Sequence, residues 1–444
     1  MGSHDLKPAR PIIDRATAGK AGDFMAGIID PSDSAPTSVR LGMAALTRAA
    51  HAGADLSPVA DALRATLMDD PTDAGALMDL SVIEQLNGDL ERGLTLQALA
   101  LHHAQVFGTA SSEGKPVRLL ALAAPLPMGD NTPVDFLVRD DAPVGLRTLY
   151  IADGIPLPDP LPDHDLAFVV APGDSDASRI FLDAIARRVQ DWPRPVLNAP
   201  ANIAMLERDR SGAALAEVPG LRLPENARCN RAKLAAVGEG ALELRDVIYG
   251  GQFPVIVRPV GAHAGRGLEK LDSTGQIASY LAECTDTEFF LSDFIDYRSE
   301  DGAYRKYRIV FVDGRPFPCH MAIAEEWKVW YMNADMATSS EKRAEEESFM
   351  AGFASGFGRR HADALSGMAR AFGLDYFGID CAEDRSGNLV MFEADNALIV
   401  HDMDSPQVFP YKAPRMREVF TAFTDMIARR AQARSAPDAR RLTG

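Results

Sequence analysis

Short apolar runs alternate with an amphipathic stretch in the second quarter of the chain. The segment 179–189 has the spacing of a helix with one apolar face. Four apolar runs of strand length surround it: VRLLALAA (117–124), LRTLYI (146–151), LAFVVA (166–171) and PVLN (195–198). Buried strands that alternate with helices predict a small α/β domain with a parallel sheet, here residues 116–206.

The preceding segment, residues 41–107, is rich in Ala and Leu at helical spacing, with turn sequences at 53–55 and 87–89. The two turns are 34 residues apart (88 − 54), which resembles the period of the tetratricopeptide repeat, although the Trp and Tyr signature positions are missing. A plain four-helix domain is the alternative. We predict a helical domain at 41–112 that packs against the rest of the chain, after a partly disordered arm at 1–40.

The second half of the chain reads as one large domain, 207–428, built from hairpins. Its polar segment 338–348 predicts an exposed helix or loop, and the basic segment 429–444 predicts a flexible tail. A helix is expected at 362–372. Strands are expected at 289–297, 304–312, 317–325 and 376–394.

Composition narrows the classes of function. A formal net charge of −17 argues against nucleic acid or an anionic membrane as the main partner, because both require a basic surface. No apolar run reaches the roughly 20 residues of a membrane helix. The four cysteines form no CxxC pair, so neither a zinc site nor a disulfide framework is indicated, and a cytoplasmic protein is expected.

Three glycines, Gly261, Gly265 and Gly267, fall within seven residues after an apolar run that ends near Arg258. A Walker A loop is excluded because Leu268 follows the last glycine, and a Rossmann loop is disfavoured because the next residues alternate as a strand. The remaining interpretation is a glycine-rich hairpin loop whose N–H groups fold over a polyphosphate.

Two further hairpins carry charged groups. Lys306 and Arg308 are two residues apart on a predicted strand and therefore share a face. Asp380 and Glu393 are nearly equidistant from the turn at 386–387, so we expect them to oppose each other across the ladder. Opposed carboxylates repel unless a cation lies between them, which indicates Mg²⁺ bound together with nucleotide phosphates.

The order of these parts resembles the ATP-grasp superfamily, and most of all its glutathione synthetase and ribosomal-protein glutamate ligase branch. The resemblance covers about residues 117–425, within the usual error of boundaries, and leaves the N-terminal helices outside. It implies an α/β (α+β) ATP-grasp fold after an all-α segment. Five segments after the small α/β domain carry it: ERDRSGAALAEVPGLRLPEN (207–226), FPVIVRPVGAHAGRGLEKL (253–271), FLSDFIDY (290–297), YRIVFVDGRP (307–316) and GIDCAEDRSGNLVMFEADNA (378–397).

The resemblance implies roles for residues that bind the nucleotide. Arg210 and Arg258 stand where many family members have lysines that touch the phosphates, and arginine is not an equivalent replacement. The segment Gly261–Gly267 corresponds to the lid over the phosphates. The linker Asp293, Phe294 and Ile295 corresponds to the segment that holds adenine, with Asp where Glu is usual.

It also implies catalytic and metal-binding residues. Arg308, with Lys306, would neutralise the γ-phosphate or a forming acyl phosphate. Asp380 and Glu393 match two magnesium ligands. The third ligand is typically Asn, and here that position is Asp395 with Asn396 next to it, so either of the two is a candidate.

His320, His401 and Lys328 are candidate substrate contacts, with simple packing as the alternative for both histidines. The leading hypothesis is an ATP-dependent carboxylate–amine ligase that acts through an acyl phosphate on an amino acid or peptide. It would use ATP with one or two Mg²⁺ ions, or Mn²⁺. A small-molecule kinase and a nucleotide-binding interaction protein without turnover are the alternatives. The N-terminal helices offer a surface for a peptide partner or for a homodimer.

Overall fold

The computed structural model describes residues 37–173, 175–262 and 265–433, apart from the side chains of a few residues within these ranges. Of the predicted arm 1–40, all but the last four positions lie outside the described residues. Of the predicted tail 429–444, only the first five positions are described, and a helix extends through Gln432. His263 and Ala264 of the glycine loop lie outside as well.

The N-terminal segment forms four helices, and the two predicted turns separate the members of each pair. An aspartate begins each helix of the second pair: Asp73 accepts a hydrogen bond from the amide of Ala76, and Asp89 from that of Arg92. Four helices fit both the repeat-like and the plain four-helix interpretation. They are α1 (Met43–His51), α2 (Ser57–Asp69), α3 (Ala74–Leu86) and α4 (Leu90–His103).

Helix α3 is the centre of this segment, with almost every residue from Ala74 to Gln85 buried. It is buried on all sides, polar residues such as Asp79 and Glu84 included, because it packs against the other three helices and against the strand Ser38–Arg40. Asp79 lies on this helix with 2% of its surface exposed. Its carboxylate accepts hydrogen bonds from the backbone amides of Leu41 (2.6 Å) and Gly42 (3.1 Å).

A six-stranded sheet of order β1-β2-β4-β3-β5-β6 joins the helical segment to the small α/β domain. Strands β4, β3, β5 and β6 are parallel, as predicted, whereas β2 runs antiparallel to β4. Because β1 and β2 flank the four helices in sequence, the sheet continues across the predicted boundary at 112–116. The strands are β1 (Ser38–Arg40), β2 (Val106–Thr109), β3 (Val117–Ala123), β4 (Val144–Tyr150), β5 (Leu166–Val169) and β6 (Val196–Leu197).

Two more sheets follow, and their hairpins agree with those predicted. One has the order β10-β9-β11-β8 and the other β13-β12-β14-β15-β7, with antiparallel pairing except between β15 and β7. The strands are β7 (Leu221–Arg222), β8 (Asn226–Asn230), β9 (Val255–Pro259), β10 (Glu269–Leu271), β11 (Glu288–Asp293), β12 (Tyr304–Val312), β13 (Arg315–Ala324), β14 (Tyr376–Glu383) and β15 (Leu389–Asp395).

The remaining helices cover these sheets. The last one supplies Phe420, Phe423 and Met426 to a core that it shares with strands of the first and third sheets. The helices are α5 (Val134–Leu137), α6 (Asp176–Val189), α7 (Pro200–Ile203), α8 (Arg208–Leu215), α9 (Arg231–Gly238), α10 (Gly275–Glu283), α11 (Ser340–Ala351), α12 (Phe357–Arg360), α13 (Ala362–Phe372) and α14 (Lys412–Gln432). Within the described ranges, no helix is long and apolar enough to cross a membrane.

The polar segment 338–348 is not simply an exposed element, and that prediction is wrong for one residue. It lies mostly in helix α11, and Glu346 within it has 0% of its surface exposed. Glu346 accepts hydrogen bonds from the amide of Met321 (3.0 Å) and the hydroxyl of Tyr411 (2.5 Å), and it pairs with Lys412 at 3.4 Å. A charged sequence run does not reveal partners that come from distant segments.

Replacing Asp79 by Ala tests how α3 is tied to the first sheet. The substitution leaves two amides near α3 without their acceptor, and we expect it to lower the free energy of unfolding by about 2–4 kcal/mol. Asp61→Ala is the control, because Asp61 is exposed and its ion pair is with Arg64, three residues further along the same helix. Urea denaturation of both variants checks this, and equal stabilities would contradict it.

Candidate functional site

Four predicted site residues form one row across the third sheet. His320 on β13 is paired with Arg308 on β12, Arg308 with Asp380 on β14, and Asp380 with Glu393 on β15. The predicted opposition of Asp380 and Glu393 is therefore confirmed. Four adjacent strands bring together groups that are up to 85 positions apart in sequence (393 − 308).

Asp380 is the best-defined group of the row, with 3% of its side chain exposed. Arg308 binds it with both arms of its guanidinium, Nε to Oδ1 at 2.8 Å and Nη2 to Oδ2 at 3.0 Å. Lys306 Nζ lies 2.7 Å from Oδ2. Burial alone would raise the pKa of Asp380, but Arg308 and Lys306 outweigh it and hold this pKa far below its usual range.

Glu393 has a cation of its own. Arg208 Nη2 lies 2.9 Å from Glu393 Oε1, and another nitrogen of the same guanidinium donates to the carbonyl of Phe392. Burial acts to raise the pKa of Glu393, and the nearby Arg208 and Arg258 lower it to about 2. Side-chain cations therefore relieve the repulsion between the two opposed carboxylates. From the sequence, a metal ion was expected to have this role.

The segment ERDRSG brings Arg208, and not Arg210, against the carboxylate row. Arg210 is exposed and pairs with Glu207 at 3.4 Å. Residues two apart on a helix point about 200° apart, so only one of the two arginines can face the sheet. Sequence reasoning missed Arg208, since the local pattern does not show which face of α8 is turned inward.

More arginines gather beside this row. Phe290 on β11 is paired with Arg258 on one side and Arg228 on the other, and the Arg228 guanidinium lies 5.2 Å from the centre of its ring. Glu207, with 3% of its side chain exposed, accepts from Arg179 and Arg228 at 2.7 Å. Guanidinium groups outnumber carboxylates here, so this part of an acidic chain favours an anion.

The glycine loop joins the antiparallel strands β9 and β10, as predicted. Gly261, Gly265 and Gly267 all have positive φ, at 71°, 76° and 61°. A Cβ on Gly267 would lie 2.8 Å from the ring of Pro259, so glycine is required there for space as well as for conformation. Arg258 donates to the carbonyl of Ala262 within this loop.

Lys328 contacts the segment that leaves the glycine loop. Its Nζ donates to the carbonyl of Leu268 at 2.7 Å and pairs with Glu269 at 3.3 Å. Its Cε would be 3.5 Å from a Cβ on Gly265. Lys328 therefore supports the glycine loop from outside. The glycine spacing in the sequence did not indicate this contact.

The predicted adenine linker follows β11 and connects the second sheet to the third. The amide of Phe294 donates to the carbonyl of Pro254 (3.2 Å), and its ring packs edge-to-face on Trp327 at 5.9 Å. Ile295 is buried. Asp293 Oδ1 is buried and has no hydrogen-bond partner among the described residues, and burial raises the pKa of this carboxyl.

Asp395 and Asn396 face different surroundings. Asp395 Oδ1 accepts from the amide of Ala397 at 2.8 Å. Asn396 Nδ2 donates to Thr132 Oγ1 (3.0 Å) and to the carbonyl of Ala171 (3.1 Å), which anchors the end of β15 to the segments that follow β3 and β5. Asn396 Oδ1 is buried without a partner among the described residues.

The two histidines are neutral packing partners in this structure. His320 Nδ1 is buried without a hydrogen bond from the described part of the chain, and its ring packs on Tyr331 at 4.8 Å. Burial, with Arg308 and Lys412 nearby, holds the pKa of His320 well below its usual range. Burial also lowers the pKa of His401, whose Nδ1 accepts from the amide of Met403 at 3.2 Å.

The four cysteines lie outside this row. All four are free thiols in the structure, and Cys319, beside Arg308, is buried. Burial raises the pKa of Cys319 to about 12, so its thiol is protonated at neutral pH and is not an activated nucleophile.

A magnesium ion fits this site when a phosphate supplies some of its oxygen ligands. In the described part of the chain, no cluster of three or more His, Cys, Asp or Glu side chains could hold a metal ion by itself. The opposed carboxylates of Asp380 and Glu393, with that of Asp395 two residues further along β15, are nevertheless the hard oxygen ligands that Mg²⁺ accepts, and Mg²⁺ commonly completes its shell with phosphate oxygens and water. The residues therefore fit Mg²⁺ that binds together with a nucleotide.

The chain matches no protein-family model and no curated protein. Solved structures similar to it include D-alanine–D-alanine ligase from Bacillus anthracis complexed with ATP, with 11% identity, a TM-score of 0.43, and coverage of 72% of this chain and 99% of that one. The RimK domain protein ATP-grasp from Sphaerobacter thermophilus DSM 20745 has 16% identity, a TM-score of 0.39, and coverage of 70% and 100%.

A third similar structure is the ATP-grasp ligase PsnB complexed with a phosphomimetic variant of a minimal precursor, Mg and ADP. It has 13% identity, a TM-score of 0.40, and coverage of 71% of this chain and 98% of that one. All three TM-scores are below 0.5, so a statement about function has to come from the side chains of this chain.

The ion pair of Arg208 and Glu393 predicts a pH effect. A carboxyl with a lowered pKa stabilises the fold above its unfolded pKa, and this contribution is lost as the pH falls through the folded pKa, here from about 4.5 towards about 2. We expect Arg208→Gln to destabilise the protein at pH 7 and by a smaller amount at pH 3.5. Urea denaturation at both pH values measures this. A penalty that is equal at both would contradict the pairing, and Arg210→Gln is the control.

Proposed function

We propose that this protein is an ATP-grasp enzyme that joins a carboxylate to an amine at the expense of ATP. The observation that carries the proposal is the charged row Arg308–Asp380–Glu393 with Arg208 at its end, beside a glycine-rich hairpin loop. Charge neutralisation next to a loop that can cover phosphates is what phosphoryl transfer requires from a protein.

The nucleotide would lie between the second and third sheets. Its triphosphate is the anion that suits the arginine cluster, with Arg258 and Arg208 nearest to the carboxylate Glu393. The glycine loop would close over the phosphates, and its contact with Lys328 would fix the far side of the loop. The base would reach the linker at Asp293 and Phe294, where the amide of Phe294 is already bound to Pro254.

The reaction proceeds in two displacements. A substrate carboxylate oxygen attacks the γ-phosphorus, the bond from that phosphorus to the β–γ bridging oxygen breaks, and ADP leaves. The amine nitrogen then attacks the carbonyl carbon of the acyl phosphate, phosphate leaves, and the amine loses a proton. Arg308 and Lys306, held in place by Asp380, would stabilise the negative charge on the transferred group.

Asp380, Glu393 and Asp395 are the residues that would hold Mg²⁺, which neutralises phosphate oxygens when it is bound. Asp395 is favoured over Asn396 because the Asn396 amide is anchored to Thr132 and Ala171, in the segments that follow β3 and β5. No side chain of the row needs to become covalently modified. His320, neutral because of its lowered pKa, is a wall of the site and not a proton donor.

One observation favours a second candidate, a nucleotide-binding protein without turnover. Two of the three proposed metal carboxylates are already paired with cations, Asp380 with two and Glu393 with one. Incubation with ATP, Mg²⁺ and a mixture of amino acids separates the candidates. ADP with an amide product supports the ligase, ADP with a stable phosphorylated product indicates a kinase, and the absence of ADP in the presence of nucleotide binding supports the second candidate.

Arg208 and Arg210 provide a matched pair of variants. We expect Arg208→Ala to weaken ATP binding at least tenfold, about the effect of one charge-assisted hydrogen bond, because it removes the guanidinium beside Glu393. Arg210→Ala should change ATP binding by less than twofold, since Arg210 is exposed on the other face of α8. Calorimetry with a non-hydrolysable ATP analogue measures both, and equal effects would refute the placement of the phosphates.

Arg308→Gln tests the transferred group. We expect kcat for ADP release to fall about 100-fold or more, with a smaller change in the KM for ATP, because the lost charge acts mainly in the transition state. Arg305→Gln is the control on the same strand, since Arg305 pairs with Asp301 and Glu345, away from the row. A kcat that stays within threefold of the wild type in Arg308→Gln would remove Arg308 from the catalytic residues.

A further inference from the structure

We propose that a cavity between helix α3 and the first sheet binds a small organic carboxylate through Arg40. The cavity has a volume of about 50 Å³. At about 10–15 Å³ for each water-sized position, it has room for about four such positions, enough for a molecule the size of acetate. The proposal goes beyond the ligase function and does not depend on it, because the cavity belongs to the N-terminal part of the chain.

The walls of the cavity come from elements far apart in sequence. Helix α3 contributes Met78 and Val82, and the strands of the first sheet contribute Ala121 and Ala123. These apolar side chains suit a short aliphatic group. Arg40, the last residue of β1, brings a guanidinium to the cavity with only 5% of its side chain exposed.

The guanidinium of Arg40 is incompletely satisfied. Its Nη2 donates to Asp135 Oδ1 at 3.3 Å, a long hydrogen bond to a carboxylate. Its Nε is buried and has no hydrogen-bond partner among the described residues. A buried charged donor without a partner is costly, and an anion in the cavity would remove that cost.

Two carboxyl groups and one phenol surround Arg40, and they leave its Nε without a hydrogen-bond partner among the described residues. Asp79 uses both carboxylate oxygens for the amides of Leu41 and Gly42. Asp135 is partly exposed and has the single contact with Arg40 noted above. The phenol of Tyr150 completes the set and is a side-chain hydrogen-bond partner of the Arg40 guanidinium; burial raises the pKa of Tyr150, so it carries no charge at neutral pH.

Most of the uncharged polar groups of the walls already have partners. Ser81 donates to the carbonyl of Gly93 (2.7 Å), and Gln97 donates to the carbonyl of Leu126 (2.9 Å). Gln85 accepts from the amide of Met128 at 2.8 Å. The donor that lacks a partner is therefore on a cation, Arg40, and this favours an anion over a neutral polar ligand. A planar carboxylate matches the guanidinium fork and the limited volume.

Thr132 connects this cavity to the candidate active site. It lines the cavity, and its Oγ1 accepts the hydrogen bond from Asn396 at the end of β15. The proposed carboxylate site is thus separate from the charged row of the third sheet. The two are linked through Asn396, which follows β15, the strand that carries Glu393 and Asp395.

Thermal unfolding of the full-length protein without nucleotide provides the test, with acetate as the probe. Sodium acetate is compared with sodium chloride at equal ionic strength and with acetamide, which has a similar shape and no charge. We expect a saturable rise of Tm with acetate alone, because a ligand that binds only the folded state stabilises it. Equal Tm values with acetate and chloride in the wild type would overturn the proposal.

Two variants should act in opposite directions on the apparent Kd of acetate. Arg40→Lys keeps the charge and loses the fork, and we expect at least tenfold weaker binding. Asp135→Asn removes the competing carboxylate, and we expect tighter binding. Arg118→Lys is the control, since Arg118 lies on β3 of the same sheet but pairs with Asp163 and Asp165 outside the cavity.

The outcomes keep this proposal separate from the ligase proposal. If Arg40→Lys does not fold, Asp135→Asn carries the test, and unchanged or weaker acetate binding in that variant overturns the proposal. Unchanged acetate binding in a folded Arg40→Lys variant also overturns it. ATP turnover is not part of the readout, so a loss of the ligase function would leave the acetate result intact, and the reverse holds as well.

Discussion

The ion pair between Asp380 and Arg308 is the interaction on which the candidate site depends. A carboxylate with 3% of its side chain exposed keeps its charge only if a cation accompanies it, and here the two arms of one guanidinium and one ammonium do so. Removing either partner would leave the other charge buried. The pair therefore fixes the register between β12 and β14, and with it the positions of His320 and Glu393 on either side.

The first sheet supplies the frame that holds this row in place. Asn396 reaches from the end of β15 to Thr132 and Ala171, and Asn198, near β6, exchanges hydrogen bonds with the backbone of Tyr376 at the start of β14. These contacts tie both strands of the carboxylate hairpin to the first sheet. The N-terminal helices belong to the same frame, because β1 and β2 extend that sheet.

The sequence predicts local geometry well where one short segment decides it. The opposition of Asp380 and Glu393 follows from distance to a turn, and the antiparallel strands around Gly261–Gly267 follow from alternation. Prediction from the sequence fails where a distant segment determines the surroundings of a residue. Glu346 is an example, because its partners Met321, Tyr411 and Lys412 come from other segments. The choice between Arg208 and Arg210 also failed, because the inner face of α8 is set by packing on β8, α13 and β15 and not by its own eight residues.

The charge of the whole chain was a poor guide to the charge of the site. A net charge of −17 is a property of the whole chain, and at physiological ionic strength the influence of a solvent-exposed charge fades within about 8 Å. The arginines around Glu207 and Glu393 are partly buried and in direct contact, so water and salt screen them less. An acidic protein can therefore favour an anion wherever buried cations outnumber buried carboxylates.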